Sequence, residues 1–449
     1  MAVIPPNPEE ASPADHAERG VEPERDVEPI PARGLPSPLP YHRRMQSLLQ
    51  RRYPKIWTWF ASGAYQEKHR RELQLELLKT TYRLTPEAHP ELHERLRQAA
   101  GRLGLEAPWT LYQGQTGLDD ESRCNASLAY VPGEIHLIFR GPILKVLDSG
   151  ELDALIGHEL THYLFYQQEE HRFFVAARIL NALARDELAD PAYLESLRLY
   201  DLFTEILADR GAYAVTGRVE PAVRLLVKVC TGAESVDAAS YLEQAEEIFG
   251  QEVVETAGIS HPELFIRARA LELWRRYVDD SASTEQAVDG PVDGMIQGKL
   301  RFSSLDLIRQ HELARHTRGL IHRLLHPTWM RTDAALAHAR LFFNDFEPVE
   351  DEIESSGLRP EDLRDEELRR YFVYVLTDFV ALTRELEDGA VAAAFARAEE
   401  LGLGDLLAET LHQELRITKT VLKRIRRDTS SILTSAAGDP AAGTAGGAP

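Results

Sequence analysis

DSGELDALIGHELTHYLF, residues 148–165, is the stretch on which the reading turns. Asp148, followed three residues later by Glu151, has the form of a capping box, the reciprocal bonding that opens a helix. Leu152, Leu155, Ile156 and Leu164 then recur at helical spacing, and no helix breaker follows Gly157 until well past the motif, so a buried helix is expected. His158 and His162, four apart, project from one face of that helix, where both imidazoles reach one metal ion. Glu159 stands beside that position, placed to take a proton from water rather than to ligate.

Other histidine pairs in the chain serve as controls. His89 and His93 are four apart, but the glutamate between them has the wrong offset and Pro90 marks a helix start. His311 and His316 are five apart, which turns the second ring off the first one's face. His322 and His326 have an arginine where a water-activating carboxylate is needed. All three pairs are expected to be surface or capping histidines. A catalytic zinc site also needs a third protein ligand and an open fourth position. The stretch LYDLFTEILADRGAYAVTG supplies Glu205 as that ligand, with Asp209 one turn on to accept the other ring N–H of a ligand histidine. One Zn²⁺ per chain is the expected cofactor.

Outward from this helix, the chain of 449 residues is 43% hydrophobic and 27% charged, which reads as globular with room for more than one core. A net charge of -21 argues against nucleic acid as a partner, because phosphate binding needs clustered Lys and Arg. Cys124 and Cys230 make no disulfide framework, and there is neither a signal sequence nor an apolar run long enough for a membrane span, so a cytoplasmic location is expected.

Residues 1–40 hold 10 of the 25 prolines and read as a disordered arm; residues 431–449 read as a small-residue tail of the same kind. A helical block is expected over roughly 42–105. Short strands follow in WTLYQ, ASLAYV and EIHLIF, the last two joined by the turn Pro132-Gly133. Helices continue to about Val278, a polar stretch over 281–295 reads as a flexible linker, and 296–430 reads as an all-helical domain. There Phe372, Val375, Leu376, Phe379 and Leu382 share one apolar face, and the basic run KTVLKRIRRD is expected at a helix C-terminus. The fold class is mainly α with a small β-sheet (α+β).

HELTH, EILAD (205–209) and HPELFIR (261–267), in that order, resemble the HtpX and CAAX-prenyl-protease family of gluzincin metallopeptidases. The segment NASLAYVPGEIHLIF before the zinc helix is similar to the family's strand and hairpin. The resemblance covers about residues 70–278 and implies a zincin-like domain, placed at 41–280, with His158, His162 and Glu205 as zinc ligands and Glu159 as general base. It further implies His261 as a donor to the developing oxyanion and Arg267 as a partner of the glutamate ligand. Asn125 and Ala126 would belong to the edge strand that an extended peptide joins.

The family is embedded in membranes, so its membrane-linked substrates are not transferred here, and Thr161 stands where HELGH has glycine and is expected to crowd the helix surface. The function expected is a zinc-dependent endopeptidase, using a metal-activated water, that acts on a protein or peptide. The alternative is a non-hydrolytic zinc-binding scaffold, or an interaction protein, that works through the C-terminal helices. Those helices are also expected to regulate access to the cleft, or to recruit substrate, by moving on the linker.

Overall fold

The computed structural model describes residues 34–115, 125–185, 190–249, 263–280, 282–297, 302–348 and 358–438. Most of the expected Pro-rich arm, residues 439–449 of the tail, Cys124 and His261 lie outside the described residues.

Three helices open the described chain, α1 (Pro40–Arg52), α2 (Pro54–Ala61) and α3 (Gly63–Thr80), followed by a strand, β1 (Thr81–Leu84), and α4 (Pro90–Arg102). β1 is a departure from the expected helical block. Its Thr81 and Tyr82 suit a pleated surface, and it pairs antiparallel with β2 (Trp109–Gly114), whose backbone groups on that side would otherwise lack partners.

β3 (Asn125–Val131) and β4 (Glu134–Arg140) complete a sheet of order β1-β2-β4-β3, in which β2 and β4 run parallel. Val131 pairs with Glu134 across Pro132-Gly133, and Gly133 at φ +81° supplies the left-handed residue of a type II turn. Along β4, Ile135, Leu137 and Phe139 enter the main core, while Ile138 packs on Leu77 of α3. Both faces are covered, which explains why β4 reads as an almost unbroken apolar run.

After a short turn, α5 (Ile143–Val146), comes α6 (Ser149–Ala184), opened by the capping box of Asp148 and Glu151. Glu151 is buried and also accepts from Arg224 and Lys228. α6 is broken once. Gln168 leaves helical geometry and Glu169, Glu170 and His171 follow with φ of 48°, 58° and 67°. Left-handed backbone costs a non-glycine residue about 1–2 kcal/mol. Side-chain bonds hold the break in place: Tyr130 of β3 reaches both His171 Nδ1 and the carbonyl of Tyr166, and Arg43 of α1 pairs with Glu169.

α7 (Pro191–Thr216) lies against α6, followed by α8 (Val219–Thr231), α9 (Ala238–Phe249) and α10 (Glu263–Asp279). The stretch expected to be a flexible linker is instead largely a helix, α11 (Glu285–Gln297). Its Val288, Val292 and Ile296 recur at helical spacing and are buried in the main core, a pattern hidden in the sequence by intervening Gly, Asp and Pro.

α12 (Leu307–Leu324) then runs through both cores: Leu307 and Ile308 belong to the first, Leu320, Ile321 and Leu324 to the second. Its start is fastened to the first core, since Tyr41 donates to Asp306 and Leu307 N–H donates to Ser196. His322, expected at the surface or in a cap, is buried against Phe346 with ring centroids 4.4 Å apart.

The second core is closed by α13 (Asp333–Phe342), α14 (Glu366–Leu382), α15 (Asp388–Glu400), α16 (Gly404–Glu414) and α17 (Lys419–Gly438). Phe372, Val375, Leu376 and Phe379 are buried there, whereas Leu382, in the last turn of α14, is 42% exposed. The basic run lies at the start of α17 and not at a helix C-terminus. Arg424 pairs with Asp388, and Arg426 with Glu399 and Asp405, so those charges serve helix packing. Part of the expected tail, up to Gly438, is helix. Among the described residues no helix is long and apolar enough to cross a membrane.

Candidate metal centre

α6 presents His158, Glu159 and His162, α7 presents Glu205 and Asp209, and α10 brings Arg267 across them. His158 Nε2 lies 3.2 Å from His162 Nε2 and 3.4 Å from Glu205 Oε2, and His162 Nε2 lies 3.6 Å from Glu205 Oε1. Four ligands held tetrahedrally at about 2.0–2.1 Å are about 3.3–3.4 Å from one another. The two imidazole nitrogens already stand near that spacing, and Glu205 approaches each of them with a different oxygen. Among the described residues the three side chains form a group able to hold a metal ion, with their ligand atoms within 4.8 Å of one another.

The bonds behind these donors fix their orientation. Asp209 accepts from His158 Nδ1 at 3.1 Å, which leaves Nε2 facing the other two ligand atoms. Arg267 clamps Asp209 with two N–H groups at 2.7 and 2.8 Å and reaches Glu205 Oε2 at 3.0 Å with a third nitrogen. This fork is the planar, two-pronged geometry that a guanidinium offers a carboxylate and an ammonium does not.

The electrostatics follow from burial and these pairs. Burial presses His158 down, but its hydrogen bonds to Asp209 and Glu205 and their charges prevail and carry it up to about 10. Burial takes His162 down to about 4, against the pull of Glu205 and with the help of the neighbouring His158. For Glu205 burial pushes upward, yet Arg267 and the two imidazoles hold it well below the ordinary carboxylate range. Burial pushes Glu159 up to about 7, opposed by His158 and by the backbone amide of Leu128.

That amide belongs to β3, an edge strand of the sheet, so the carboxylate beside the ligand set also touches the strand carrying Asn125 and Ala126. Of the three ligand side chains that of Glu205 is the most exposed, at 37%, while those of His158 and His162 are 10% and 14% exposed.

Thr161 faces α7 and meets Gly211 there; its hydroxyl donates to the carbonyl of Gly157. The crowding expected at this position is taken up by the glycine on the facing helix.

One residue that the sequence reading passed over belongs to this frame. Arg210, next to Asp209 and buried, donates to Asp289 of α11 at 2.8 Å and stacks on Trp274 of α10 at 4.2 Å. Its signal was an arginine beside Asp209 inside the otherwise apolar run ILADRGAYAV.

Protein-family models, curated proteins and solved structures give no match to this chain. The chemistry is accordingly read from the site's own geometry.

Proposed function

We propose that this chain is a zinc-dependent endopeptidase. The reading rests on one observation above the others: two imidazoles and a carboxylate gathered within reach of one ion, with the buried carboxylate of Glu159 beside them and in contact with an edge strand. Two imidazoles and one carboxylate are a donor set that suits Zn²⁺. A zinc ion held by His158, His162 and Glu205 would keep one coordination position open and supply Lewis acidity to a carbonyl oxygen or a water there.

The chain's own groups do the rest. Asp209 keeps the His158 ring turned so that Nε2 faces the ion, and Arg267 holds Asp209 and Glu205 in register. An extended peptide adds along β3, an edge strand among the described residues, at Asn125 and Ala126, with main-chain bonds setting its direction. Glu159 takes the proton of the attacking water and returns it to the leaving amine. His261, through the resemblance, is the proposed donor to the carbonyl oxygen as charge develops on it.

Zinc content and peptide hydrolysis, measured together, test this reading. The purified chain is expected to carry one zinc and to cleave internal bonds of an unstructured protein such as casein, and Glu159→Gln to keep the zinc and lose the cleavage. Full zinc in His158→Ala would dismiss the ligand set. Zinc without cleavage in the parent would leave a binding scaffold.

A further inference from the structure

We infer that the hairpin of α2 and α3, with the end of α1, docks on an anionic lipid bilayer. From Pro29 to Gln66 the chain has no Asp or Glu, where its average of 72 in 449 would place about six. The same stretch carries Arg43, Arg44, Arg51, Arg52 and Lys55. Arg43 and Arg44 are engaged with Glu169 and Glu312. Arg51, Arg52 and Lys55 are exposed.

Arg51 and Arg52 complement the dipole at the end of α1. Lys55 has no such role: it lies in the first turn of α2, where a cation is disfavoured and no acidic residue accompanies it.

α2 is apolar on two faces. Trp57 and Phe60 are buried in the main core, while Ile56 and Trp59 are 38% and 57% exposed. The indole of Trp59 rests on Phe60 and Tyr65, with centroids 4.6 and 4.8 Å away. Beyond it the turn into α3 exposes Ala61, Gly63 and Ala64, which are small and uncharged. From the neighbouring element, Asp190 lies near Tyr53, but its side chain is engaged in capping α7.

An exposed tryptophan and aliphatic side chain on α2, with three exposed cations just before them in the chain, match the boundary between acyl chains and anionic headgroups. The charge of the rest of the chain selects the orientation. With -21 overall, an anionic surface repels the chain as a whole, and the end of α1 with α2, which carries no acidic residue, is the segment it repels least; on α3 the first acid, Glu67, is paired with Arg71.

Sedimentation of the full-length chain with vesicles tests the inference, using phosphatidylcholine alone against equal parts of phosphatidylcholine and phosphatidylglycerol. Binding is expected only to the anionic vesicles and is expected to fall with added salt. Since each cation near such a surface is worth about a factor of five, Arg51→Gln, Arg52→Gln and Lys55→Gln combined should weaken it about a hundredfold. Trp59→Ala with Ile56→Ser should weaken it at least tenfold.

Lipids brominated along the acyl chains should quench part of the emission of the five tryptophans, and that part should vanish in Trp59→Phe. Equal binding to neutral vesicles, no binding by the parent, or undiminished binding by the triple variant overturns the inference. So does stronger binding to RNA or heparin with no lipid quenching, which would mark a polyanion surface. Because the comparison of vesicles and of salt uses the parent chain, the test stands even where a variant folds poorly.

Discussion

A Cβ on Gly211 would lie 1.6 Å from Thr161 Oγ1, so the threonine of the metal helix fills the volume that the glycine of the facing helix leaves. The approach is close on both sides, since a Cβ on Gly157 would lie 2.9 Å from the carbonyl of Gly211. This crossing sets the distance between His158 and Asp209. Gly211→Ala is therefore expected to destabilise the chain by about 1–3 kcal/mol and to weaken zinc retention. Adding Thr161→Gly should recover part of both losses, because it removes the clashing side chain. Urea unfolding and chelator competition on the two variants check this; a Gly211→Ala protein as stable as the parent would refute the close packing.

Arg267, like His158, touches both carboxylates of the site. Its replacement by Met leaves Asp209, whose side chain is 3% exposed, as a buried charge paired only through His158. Breaking a buried pair in this way destabilises by about 3–5 kcal/mol. Arg267→Lys should be milder in stability yet still lose about 10- to 100-fold in zinc affinity, since an ammonium cannot reproduce the fork on Asp209. Calorimetry and zinc competition separate the two effects. Equal zinc affinity in Arg267→Lys would limit the residue to a structural part.

Much of the site's frame was legible because its signals are local. The capping pair Asp148 and Glu151, the spacing of His158 and His162, and the spacing of Glu205 and Asp209 all lie within single helices, where period and residue type speak together. What stayed hidden depends on contacts between elements. Nothing in TTYRL announces that Thr81–Leu84 must satisfy the edge of β2, and nothing in HELTH announces Gly211. The left-handed break at Glu169, Glu170 and His171 was illegible for a different reason: neither glutamate favours positive φ, and the conformation is held by Tyr130 and Arg43 from other elements. His261 lies outside the described residues, so its position relative to the ligands rests on the resemblance alone.

The helical nature of residues 285–297 carries its own prediction. A flexible linker would be the first segment cut by a protease, whereas α11 buries Val288, Val292 and Ile296 and holds Arg210 through Asp289. Limited proteolysis should leave this segment intact. Asp289→Ala should destabilise by about 3–5 kcal/mol, because it strands a guanidinium that is 1% exposed. Early cleavage within 285–297 would restore the hinge. Without a hinge, the C-terminal helices cannot act as a cover that lifts from the cleft on this segment.

His42 predicts how the fold responds to acid. Its ring is buried among Phe165, Phe173, Tyr200 and Phe203. Nδ1 accepts from Leu39 N–H at 3.2 Å, and Nε2 lies 3.2 Å from Thr204 Oγ1, whose own hydrogen goes to the carbonyl of Tyr200. The neutral ring is therefore bonded at both nitrogens, with Nε2 as donor. A second proton would displace the Leu39 bond and place a charge among aromatic rings, with Arg210 and Arg43 adding repulsion. Burial is the main cause that takes this imidazole down to about 3 from an ordinary value of 6.5. The sign follows directly. Between these two values the unfolded chain binds a proton that the folded chain refuses, so the stabilisation is complete above about pH 6.5 and is lost as the pH falls toward about 3. One such group contributes a slope of about 1.4 kcal/mol per pH unit within the window. His42→Gln keeps a donor and an acceptor but takes up no proton. It should be less stable than the parent at neutral pH, having lost ring packing, and its stability should decline with acid less steeply by that slope. Unfolding free energies from urea titrations at intervals between pH 4 and 6.5 measure the difference, in which the shared contribution of the carboxylates cancels. Parallel curves for parent and variant would show that His42 titrates normally and that the ring is not held as described.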